Sequence, residues 1–327
     1  MRILITGGAG FIGSAVVDQA VAAGHEVLCL DKLTYAGSRE NLLGVANAPN
    51  FTFVEADICD AQAVRAAFAD NRPDAVLHLA AESHVDRSIA GPAEFIETNI
   101  VGTYTMLETA LDHWRGLDDS AQGAFRFVHV STDEVYGALG PTGEFHEDSP
   151  YRPNSPYSAS KASSDMLARA WRQTFGLPAL ISNCTNNYGP RQYPEKLIPV
   201  IVNKAANGQP IPIYGDGSNV REWLYVDDHA RALMMLAQAG EPGRIYLIGG
   251  GEEISNMEMA RRICAIMDEL RPDGAPHADL IASVTDRPGH DFRYALDGAA
   301  TQRDLGWTPQ TALDEGLERT VRWYLER

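Results

Sequence analysis

A glycine-rich turn near the N-terminus constrains the fold of this 327-residue chain more than any other feature of its sequence. In the segment TGGAGFIGS, four glycines separate an apolar run at residues 2–6 from a stretch with helical spacing at residues 11–22. Glycine permits a tight turn and lets the backbone approach a pyrophosphate, whose charge then rests on the positive end of the following helix. The segment therefore predicts the first strand, turn and helix of a dinucleotide-binding sheet.

Apolar runs and helical stretches alternate through the first half of the chain. After residues 2–6, strands are predicted at 26–30, 51–55, 75–79, 125–130 and 179–183, with helical segments such as 61–69 and 93–114 between them. Strands that alternate with helices of about 10 to 15 residues are typical of βαβ units and of a parallel sheet covered on both faces. The sequence therefore predicts an α/β fold, with a Rossmann-type, doubly wound parallel sheet in residues 1–185.

Prolines interrupt this alternation from about residue 186 onward. Five prolines lie between residues 190 and 212 and break the chain into short elements. Strands are still predicted at 221–226 and 244–248, and helices at 257–270 and 313–326. We expect residues 186–327 to form a smaller, mixed C-terminal lobe that mainly binds substrate and is partly interleaved with the sheet.

Charge and cysteine content limit the classes of partner and compartment. The net charge of −17 argues against nucleic acid and anionic membranes as partners. No apolar run approaches the roughly 20 residues that span a bilayer, and the N-terminal residues lead directly into a strand, which leaves no room for a cleavable signal segment. The four cysteines show no spacing typical of a zinc site and are expected to be reduced thiols. We therefore expect a cytoplasmic protein without a metal centre.

Asp31, at the end of the second predicted strand, indicates which dinucleotide would bind. Its distance from the glycines is close to the spacing of about 20 residues in dinucleotide-binding folds. A carboxylate there accepts hydrogen bonds from the adenosine ribose hydroxyls and repels a 2′-phosphate, which favours NAD over NADP, although Lys32 and Arg39 lie nearby. Asp57 and Ile58, after the third strand, are expected to meet the adenine.

Tyr157 and Lys161 form a candidate catalytic pair in the segment YSASK. They lie four residues apart on a predicted helix and hence on the same face. An ammonium beside a phenol, with a positive nicotinamide close by, stabilises the phenolate and makes tyrosine a usable base near neutral pH. Ser131 and Thr132, at the end of the fifth strand, can hydrogen-bond the substrate hydroxyl that is oxidised. The alternative is a surface pair on a helix.

Taken together, these segments carry a family resemblance. TGGAGFIGS, Asp31, LAAESHVDRS and YSASK resemble the extended short-chain dehydrogenase/reductase family, which acts on nucleotide sugars. Within that family, VSTDEVYG, YAGSRENL, NNYGPRQYPEKLIP, REWLYVDDHARA and RPGHDFRYALD are similar to blocks of the dTDP-glucose 4,6-dehydratases. The blocks extend from residue 3 to about residue 297, so the resemblance covers nearly the whole chain. It also implies a homodimer, formed through a four-helix bundle by helices within residues 93–114 and 157–175.

Two adjacent carboxyl groups distinguish a dehydratase from simpler members of this family. A 4-epimerase needs only tyrosine, lysine and a hydroxyl donor, whereas loss of water across sugar carbons 5 and 6 also needs a base and an acid. The resemblance implies that Tyr157, with Lys161, takes the proton of the carbon 4 hydroxyl while NAD accepts hydride. Glu134 then removes the carbon 5 proton, and protonated Asp133 protonates the departing carbon 6 hydroxyl. Hydride then returns to carbon 6, and carbon 5 is reprotonated. The predicted catalytic residues are Thr132, Asp133, Glu134, Tyr157 and Lys161.

The resemblance also implies which residues bind the two ligands, of which NAD is expected to be held tightly and regenerated in each turnover. The predicted cofactor-binding residues are Gly7, Gly10, Phe11, Ile12, Gly13, Asp31, Lys32, Thr34, Asp57, Ile58, Leu79, Ala80, Ala81, Ser83, Thr98, Tyr157, Lys161 and Asn187. The substrate is expected to be a nucleotide sugar, dTDP-glucose, whose phosphates need local cations. The predicted substrate-binding residues are Ser83, Thr132, Asn186, Lys196, Leu197, Pro212, Tyr214, Arg221, Asn256, Arg287 and His290.

Three other functions remain open from the sequence. A UDP-glucose 4,6-dehydratase stays an alternative, because thymine and uracil differ by one methyl group and the motifs do not identify the pocket for the base. A UDP-glucuronate decarboxylase is disfavoured by Asp133, since loss of carbon dioxide needs no acid at a carbon 6 hydroxyl. A non-catalytic NAD-binding sensor is disfavoured because Thr132, Tyr157 and Lys161 are all present.

Overall fold

The computed structural model describes residues 1–286 and 290–327 of the chain. The strands are β1 (Arg2–Thr6), β2 (Glu26–Asp31), β3 (Phe51–Glu55), β4 (Ala75–His78), β5 (Arg126–Thr132), β6 (Ala179–Cys184), β7 (Asn186–Tyr188), β8 (Ile211–Tyr214), β9 (Val220–Tyr225), β10 (Ile245–Ile248), β11 (Glu253–Ser255) and β12 (Ile281–Val284). The helices are α1 (Phe11–Ala22), α2 (Ala61–Asn71), α3 (Val85–Ala90), α4 (Ala93–Ile96), α5 (Thr103–Arg115), α6 (Asp119–Ala124), α7 (Pro156–Phe175), α8 (Leu197–Ala206), α9 (Val226–Ala239), α10 (Asn256–Leu270), α11 (Ala299–Leu305) and α12 (Leu313–Leu325).

Seven parallel strands form the central sheet, in the order β10-β6-β5-β4-β1-β2-β3. The order runs outward in both directions from β1, so the chain reverses direction across the sheet between β1 and β4. Strands buried on both faces read as nearly continuous apolar runs, and β1 and β4 have this character. The predicted Rossmann-type sheet is therefore confirmed.

Helices cover both faces of this sheet and enclose two apolar cores. On one face α1 and α9 pack together, and Val16, Val17 and Leu233 are fully buried there. On the other face α2, α5 and α7 enclose Phe68 and Met106. Because every crossover places a helix on a face, the carboxyl ends of the strands all open at one edge of the sheet.

The second half of the chain builds a smaller lobe and also returns to the sheet. Strands β7, β9 and β11 form a three-stranded sheet, β8 and β12 form a parallel pair, and α8, α10 and α12 pack around a third core. Strand β10 and helix α9 complete the main sheet and its cover. The division at residue 185 stays a prediction. Within the described residues, none of the helices combines the length and apolar character needed to cross a bilayer.

The long helical stretch predicted at residues 93–114 is interrupted in the structure. A π-helical segment at Glu97–Gly102 separates α4 from α5. The buried Asn99 side chain accepts the Glu82 N–H at 2.9 Å and donates to Ser160 Oγ at 2.8 Å. A Cβ on Gly102 would lie 2.5 Å from Ile58 Cδ1. The widened turn fits these contacts, and π-helical turns are frequent at functional sites.

Candidate active site

One cleft at the carboxyl ends of the sheet strands contains most of the predicted site. It is lined by all five predicted catalytic residues and by every predicted cofactor-binding residue except Asp57. The walls come from the loops after β1, β2 and β4, the end of β5, helix α7 and the segment after β6. The sheet topology thus brings together motifs that lie far apart in the sequence.

The glycine turn shapes the part of the cleft that suits a pyrophosphate. Gly7 has a φ of 71°, and a Cβ there would lie 2.7 Å from the amide nitrogen of Ala80. A Cβ on Gly13 would clash with the carbonyl oxygen of Gly7. Among the described residues no side chain caps α1, and its first turn contains no acidic residue. The amide groups at this helix end therefore fit an anionic ligand.

Asp31 sits at the end of β2, where its carboxylate also organises the surrounding loop. It accepts the N–H groups of Ala9 at 3.0 Å and of Leu33 at 2.8 Å. Burial raises its pKa above the usual range. Lys32 does not approach it as an ion pair, because its ammonium lies 3.3 Å from Asp57 Oδ2 and 3.3 Å from Thr98 Oγ1. Asp57 lies outside the cleft wall, so its contact with adenine stays a prediction.

Thr132 and the two carboxyl residues lie where β5 turns into a short 3-10 helix. The hydroxyl of Thr132 donates to Asp133 Oδ1 at 3.1 Å and accepts the Glu134 N–H at 3.3 Å. Asp133 is only 2% exposed, and its Oδ2 atom has no hydrogen-bond partner in the part of the chain that the structure describes. Burial, followed by the charges of Glu134 and Glu222, raises the pKa of Asp133 well above its usual range. A carboxyl in this environment is held as the neutral acid.

Tyr157 and Lys161 lie on the first turns of α7, which begins with Pro156 and a capping box between Ser155 and Ser158. The Lys161 ammonium donates to the carbonyl oxygen of Val130 at 2.8 Å. Burial lowers the pKa of Lys161 to about 8. Burial and the Glu134 carboxylate raise the pKa of Tyr157 well above its usual range. The protein groups by themselves therefore do not make Tyr157 a base near neutral pH, because burial and the Glu134 carboxylate disfavour its phenolate.

Asn187, on β7, lines the part of the cleft that the sequence predicts for the nicotinamide. Its amide nitrogen donates to the carbonyl oxygen of Thr185 at 3.0 Å, and its Oδ1 atom lies 2.9 Å from His229 Nδ1. Burial lowers the pKa of His229 to about 3, so that the ring is neutral and donates to this oxygen. The Asn187 side chain is thereby held in a single orientation.

The predicted substrate residues fall into two groups. Ser83, Thr132, Asn186 and Lys196 line the cleft, and the Lys196 ammonium donates to the carbonyl oxygen of Ser83 at 3.2 Å. Six others lie outside its wall: Leu197, Pro212, Tyr214, Arg221, Asn256 and His290. Arg287 lies outside the described residues.

Three of the outer residues contact neighbours in the C-terminal lobe. The Arg221 guanidinium donates to the carbonyl oxygens of Val220 and Asp291 and lies 4.5 Å from the ring centre of Tyr294. The rings of Tyr214 and His290 meet edge to face at 6.1 Å. Their contacts with substrate stay predictions.

Sequence reasoning missed several residues of the cleft wall, among them Tyr35, Tyr193, Glu195 and Cys184. The rings of Tyr35 and Tyr193 meet edge to face at 5.2 Å, and the Arg87 guanidinium lies 3.6 Å from the Tyr35 ring centre. Tyr35 and Glu195 belong to the family blocks YAGSRENL and EKLIP, which is the signal that could have identified them. The loops that carry these residues come together only in the folded chain, so their contact could not be predicted from any single segment.

Replacing Gly13 with alanine is expected to reduce the amount of NAD that copurifies with the protein. The added methyl group clashes with the Gly7 carbonyl oxygen, and relief of such overpacking costs about 1–3 kcal/mol. The measurement is the cofactor content of the purified variant together with its thermal unfolding. Gly123→Ala is the matched control, since a Cβ at this helical glycine of α6 meets nothing within 4 Å. Full cofactor content in Gly13→Ala would contradict the role of the turn.

The residues of the cleft are of the types that bind nucleotides and transfer protons. Within residues 1–286 and 290–327, no group of three or more His, Cys, Asp or Glu side chains could hold a metal ion. The site combines a glycine turn whose amide groups fit an anion, the Asp31 carboxylate, a tyrosine and lysine pair, and a buried acid beside a second carboxyl.

Comparison with known proteins identifies the family. The family model for GDP-mannose 4,6 dehydratase matches residues 4–320. The dTDP-glucose 4,6-dehydratase of Neisseria meningitidis is 54% identical, and the alignment covers 99% of this chain and 93% of that protein. The enzyme of the same name from Escherichia coli is 53% identical, with coverage of 99% and 94%.

A solved structure agrees with these relatives. DesIV, a dTDP-glucose 4,6-dehydratase from Streptomyces venezuelae crystallised with NAD and TYD bound, superposes with a TM-score of 0.91 at 49% identity. The alignment covers 100% of this chain and 98% of DesIV. The resemblance predicted from the motifs is confirmed, and the chain belongs to the GDP-mannose 4,6 dehydratase family, within which it groups with the dTDP-glucose 4,6-dehydratases.

Proposed function

We propose that this protein is an NAD-dependent hydro-lyase that converts dTDP-glucose to dTDP-4-keto-6-deoxyglucose. The observation that carries the proposal is Asp133, a buried carboxyl with a raised pKa beside Glu134, in the same cleft as Tyr157 and Lys161. An acid and a base beyond the tyrosine and lysine pair are what loss of water requires and what epimerisation at carbon 4 does not. The relatives named above carry the same activity in their names.

The residues present fit NAD. The uncapped end of α1 and the turn at Gly7 and Gly13 would hold its pyrophosphate, and Asp31 its adenosine ribose. Tyr157, Lys161 and Asn187 would adjoin its nicotinamide. When bound, NAD supplies a hydride acceptor for carbon 4, a hydride donor for carbon 6, and a positive charge beside the phenol. Because the same cofactor is oxidised again within one turnover, it has no need to leave.

Tyr157 takes the proton of the carbon 4 hydroxyl in the first step. Burial and Glu134 disfavour its phenolate, so the Lys161 ammonium and the cationic ring together must offset them. Thr132 presents a hydroxyl at the end of β5 that can bond the oxygen at carbon 4. These groups orient the hydroxyl and move its proton.

Asp133 and Glu134 divide the elimination between them. Once carbon 4 is a ketone, the carbon 5 proton is acidic, and Glu134 removes it. Asp133, held neutral by burial, gives its proton to the carbon 6 hydroxyl as water leaves. Glu134 then returns its proton to carbon 5 when carbon 6 receives hydride. Before substrate binds, the Thr132 hydroxyl donates to Asp133 Oδ1 and orients that carboxyl. Because a hydroxyl has one proton, Thr132 exchanges this bond for one to the carbon 4 oxygen when substrate is present.

The test is incubation of the purified protein with dTDP-glucose, UDP-glucose, GDP-mannose or UDP-glucuronate separately, without added NAD. Mass spectrometry would follow the loss of one water, and the 4-keto-6-deoxy product is expected from dTDP-glucose. Product from UDP-glucose alone would make the enzyme a UDP-glucose dehydratase. Loss of carbon dioxide from UDP-glucuronate would favour the decarboxylase. The absence of product from all of these substrates would favour the sensor.

We further propose a homodimer in the cytoplasm. An apolar face crosses α5 and α7, where Tyr104 is 46% and Met166 49% exposed, and Ile96, Val101 and Phe175 add to it. Exposed apolar side chains on neighbouring helices are typical of protein interfaces. The four free thiols support a reducing compartment.

Met166→Glu is expected to shift the protein from dimer to monomer, because a carboxylate on this face would be buried without a partner in the interface. Light scattering after size exclusion would measure the mass of both forms. Leu43→Glu serves as the control, since Leu43 is 70% exposed and lies on a different part of the chain. A Met166→Glu variant with the unchanged mass of a dimer would rule out this face.

A further inference from the structure

A buried polar cluster lies directly behind the catalytic residues and has no place in the mechanism above. Its centre is Asp165 of α7, which is 0% exposed. The Tyr151 hydroxyl donates to Asp165 Oδ2 at 2.9 Å, and the Asn183 amide donates to the same oxygen at 3.4 Å. His129 Nε2 lies 3.2 Å from Asp165 Oδ1. We call these four residues the Asp165 cluster.

Asp165 needs a positive charge nearby if it is ionised, because an unpaired carboxylate is costly to bury. Among the described residues, His129 is the only titratable cation recorded within ion-pair distance of it. Burial and then the charge of Lys161 lower the pKa of His129, so this ring is neutral near neutral pH. The remaining candidate is Lys161, which lies one turn earlier on α7 and is itself only 4% exposed.

Lys161 faces a limited set of charged and titratable groups. Tyr157 and Asp165 lie on its own helix, His129 on β5, His78 on β4 and Cys184 on β6, with Asp133 and Glu134 beyond the end of β5. The two histidines are buried with lowered pKa values, and the pKa of Cys184 is raised to about 12 by burial. Asp165 is therefore the carboxyl group that α7 places on the same face as Lys161, four residues away.

The cluster also reaches the backbone on which the catalytic residues sit. The Asn183 amide that bonds Asp165 also donates to the carbonyl oxygen of Thr132 at 2.9 Å. Lys161 bonds the carbonyl oxygen of Val130 on the same strand at 2.8 Å. One carboxylate is thus linked to the two residues that act on the carbon 4 hydroxyl together with Tyr157.

We propose that Asp165 is a positioning residue of the reaction, whose carboxylate keeps Lys161 charged and, through Asn183, holds Thr132 in place. The part played by Lys161 rests on the proposed function. The charge coupling between Asp165 and Lys161 is a property of the protein itself and can be measured without substrate.

The direction of the effect follows from the burial of Lys161. Burial already lowers the pKa of this lysine to about 8, and Asp165 opposes that shift. Removing the carboxylate lowers the pKa further, so less of the lysine is charged near neutral pH. A neutral amine does not stabilise a phenolate, and Tyr157 then becomes a weaker base at the same pH.

The direct test is the titration of Lys161 in the NAD-bound enzyme, followed by NMR on protein labelled with [ε-13C]lysine. The chain has only Lys32, Lys161, Lys196 and Lys204, and Lys161→Arg identifies the signal. Asp165→Asn keeps the volume of the side chain and is expected to lower the midpoint by about one pH unit or more. Tyr151→Phe is the matched control, because it removes a hydrogen bond from the same carboxylate but keeps its charge. An unchanged midpoint in Asp165→Asn would overturn the proposal.

Kinetics separate this role from a purely structural one. Asp165→Asn is expected to lower kcat near neutral pH about tenfold, to move the alkaline limb of its pH profile to lower pH, and to leave KM for dTDP-glucose unchanged. A rise in KM with an unaltered pH profile would show a structural role and refute the proposal. If the natural enzyme does not turn over dTDP-glucose, the proposed function fails, while the NMR titration still decides the coupling.

If Asp165→Asn folds poorly, the unfolding temperatures of single and double variants test the same charge coupling. Lys161→Met alone leaves a buried carboxylate without its cation and should destabilise the protein. Adding Asp165→Asn to Lys161→Met should raise the unfolding temperature above that of the single variant. A double variant that is no more stable than Lys161→Met would mean that the two charges are not coupled.

Discussion

Asp133→Asn is expected to abolish most dehydration while leaving the first oxidation intact. Removal of a general acid typically lowers a rate by about 10²–10⁴-fold, and asparagine has no proton to give to the carbon 6 hydroxyl. Tyr157, Lys161 and Thr132 are unchanged, so reduced cofactor should still form on the enzyme after dTDP-glucose is added. Rapid mixing with absorbance detection would measure the formation of reduced cofactor. Mass spectrometry would measure the loss of water.

Two further measurements make the Asp133 prediction specific. Glu134→Gln should show the same separation between oxidation and elimination, because the base and the acid act in the same step. In the natural enzyme, activity should fall as the pH rises through the raised pKa of Asp133, since only the protonated form can donate. If Asp133→Asn and Glu134→Gln both retained full turnover, the division of labour between them would be wrong.

Asp133→Asn is also expected to raise thermal stability. The pKa of Asp133 is raised in the folded protein, so its contribution to stability is present at low pH and is lost as the pH rises through that value. At neutral pH the buried acid is therefore a cost to folding that asparagine removes. A higher unfolding temperature together with lost elimination would show that this residue serves the reaction rather than the fold.

Tyr157→Phe is expected to stop the reaction at an earlier point. Without the phenol no group takes the proton from the carbon 4 hydroxyl, so neither reduced cofactor nor product should form, and kcat should fall by about 10²–10⁴-fold. NAD content should be nearly unchanged, because the pyrophosphate and ribose contacts lie elsewhere in the cleft. Absorbance of the reduced cofactor after a single addition of dTDP-glucose is the measurement.

Tyr136→Phe provides the control for loss of a buried phenol. Tyr136 is 2% exposed and lies on the 3-10 turn after Thr132, but it does not line the cleft. Its substitution should change kcat little. Reduced cofactor at the natural rate in Tyr157→Phe would show that another group is the base.

Much of the fold could be predicted from local patterns. Apolar runs identified all six strands of the first half, and β1 and β3 begin and end at the predicted residues. The interruption at Glu97–Gly102 was missed, because it fits Asn99 contacts with Glu82 and Ser160, which the chain brings close only by folding. Helical spacing describes one segment at a time and contains no information about such contacts.

The candidate site, like the fold, could be predicted from the sequence only in part. The glycine turn, Asp31, YSASK and the pair Asp133 and Glu134 are short motifs that follow strands or begin a helix, and the carboxyl ends of parallel strands meet at one edge. The cleft wall formed by Tyr35 and Tyr193 was not predicted, since aromatic residues in loops have no periodicity. The role of Asp57 at the adenine stays a prediction. Asp57 pairs with Lys32, which lines the cleft, but Asp57 itself is not part of the cleft wall.

The sequence by itself determined the kinds of chemistry that this protein can perform, because each reactive group sits in a short motif with its neighbours. Only the tertiary structure decided the protonation states of those groups. Asp133 is held as an acid by burial and by Glu222 of a distant strand, and Tyr157 is made a poor base by desolvation until further positive charge adjoins it. A pKa depends on everything that surrounds a group in space, and those surroundings exist only in the folded chain.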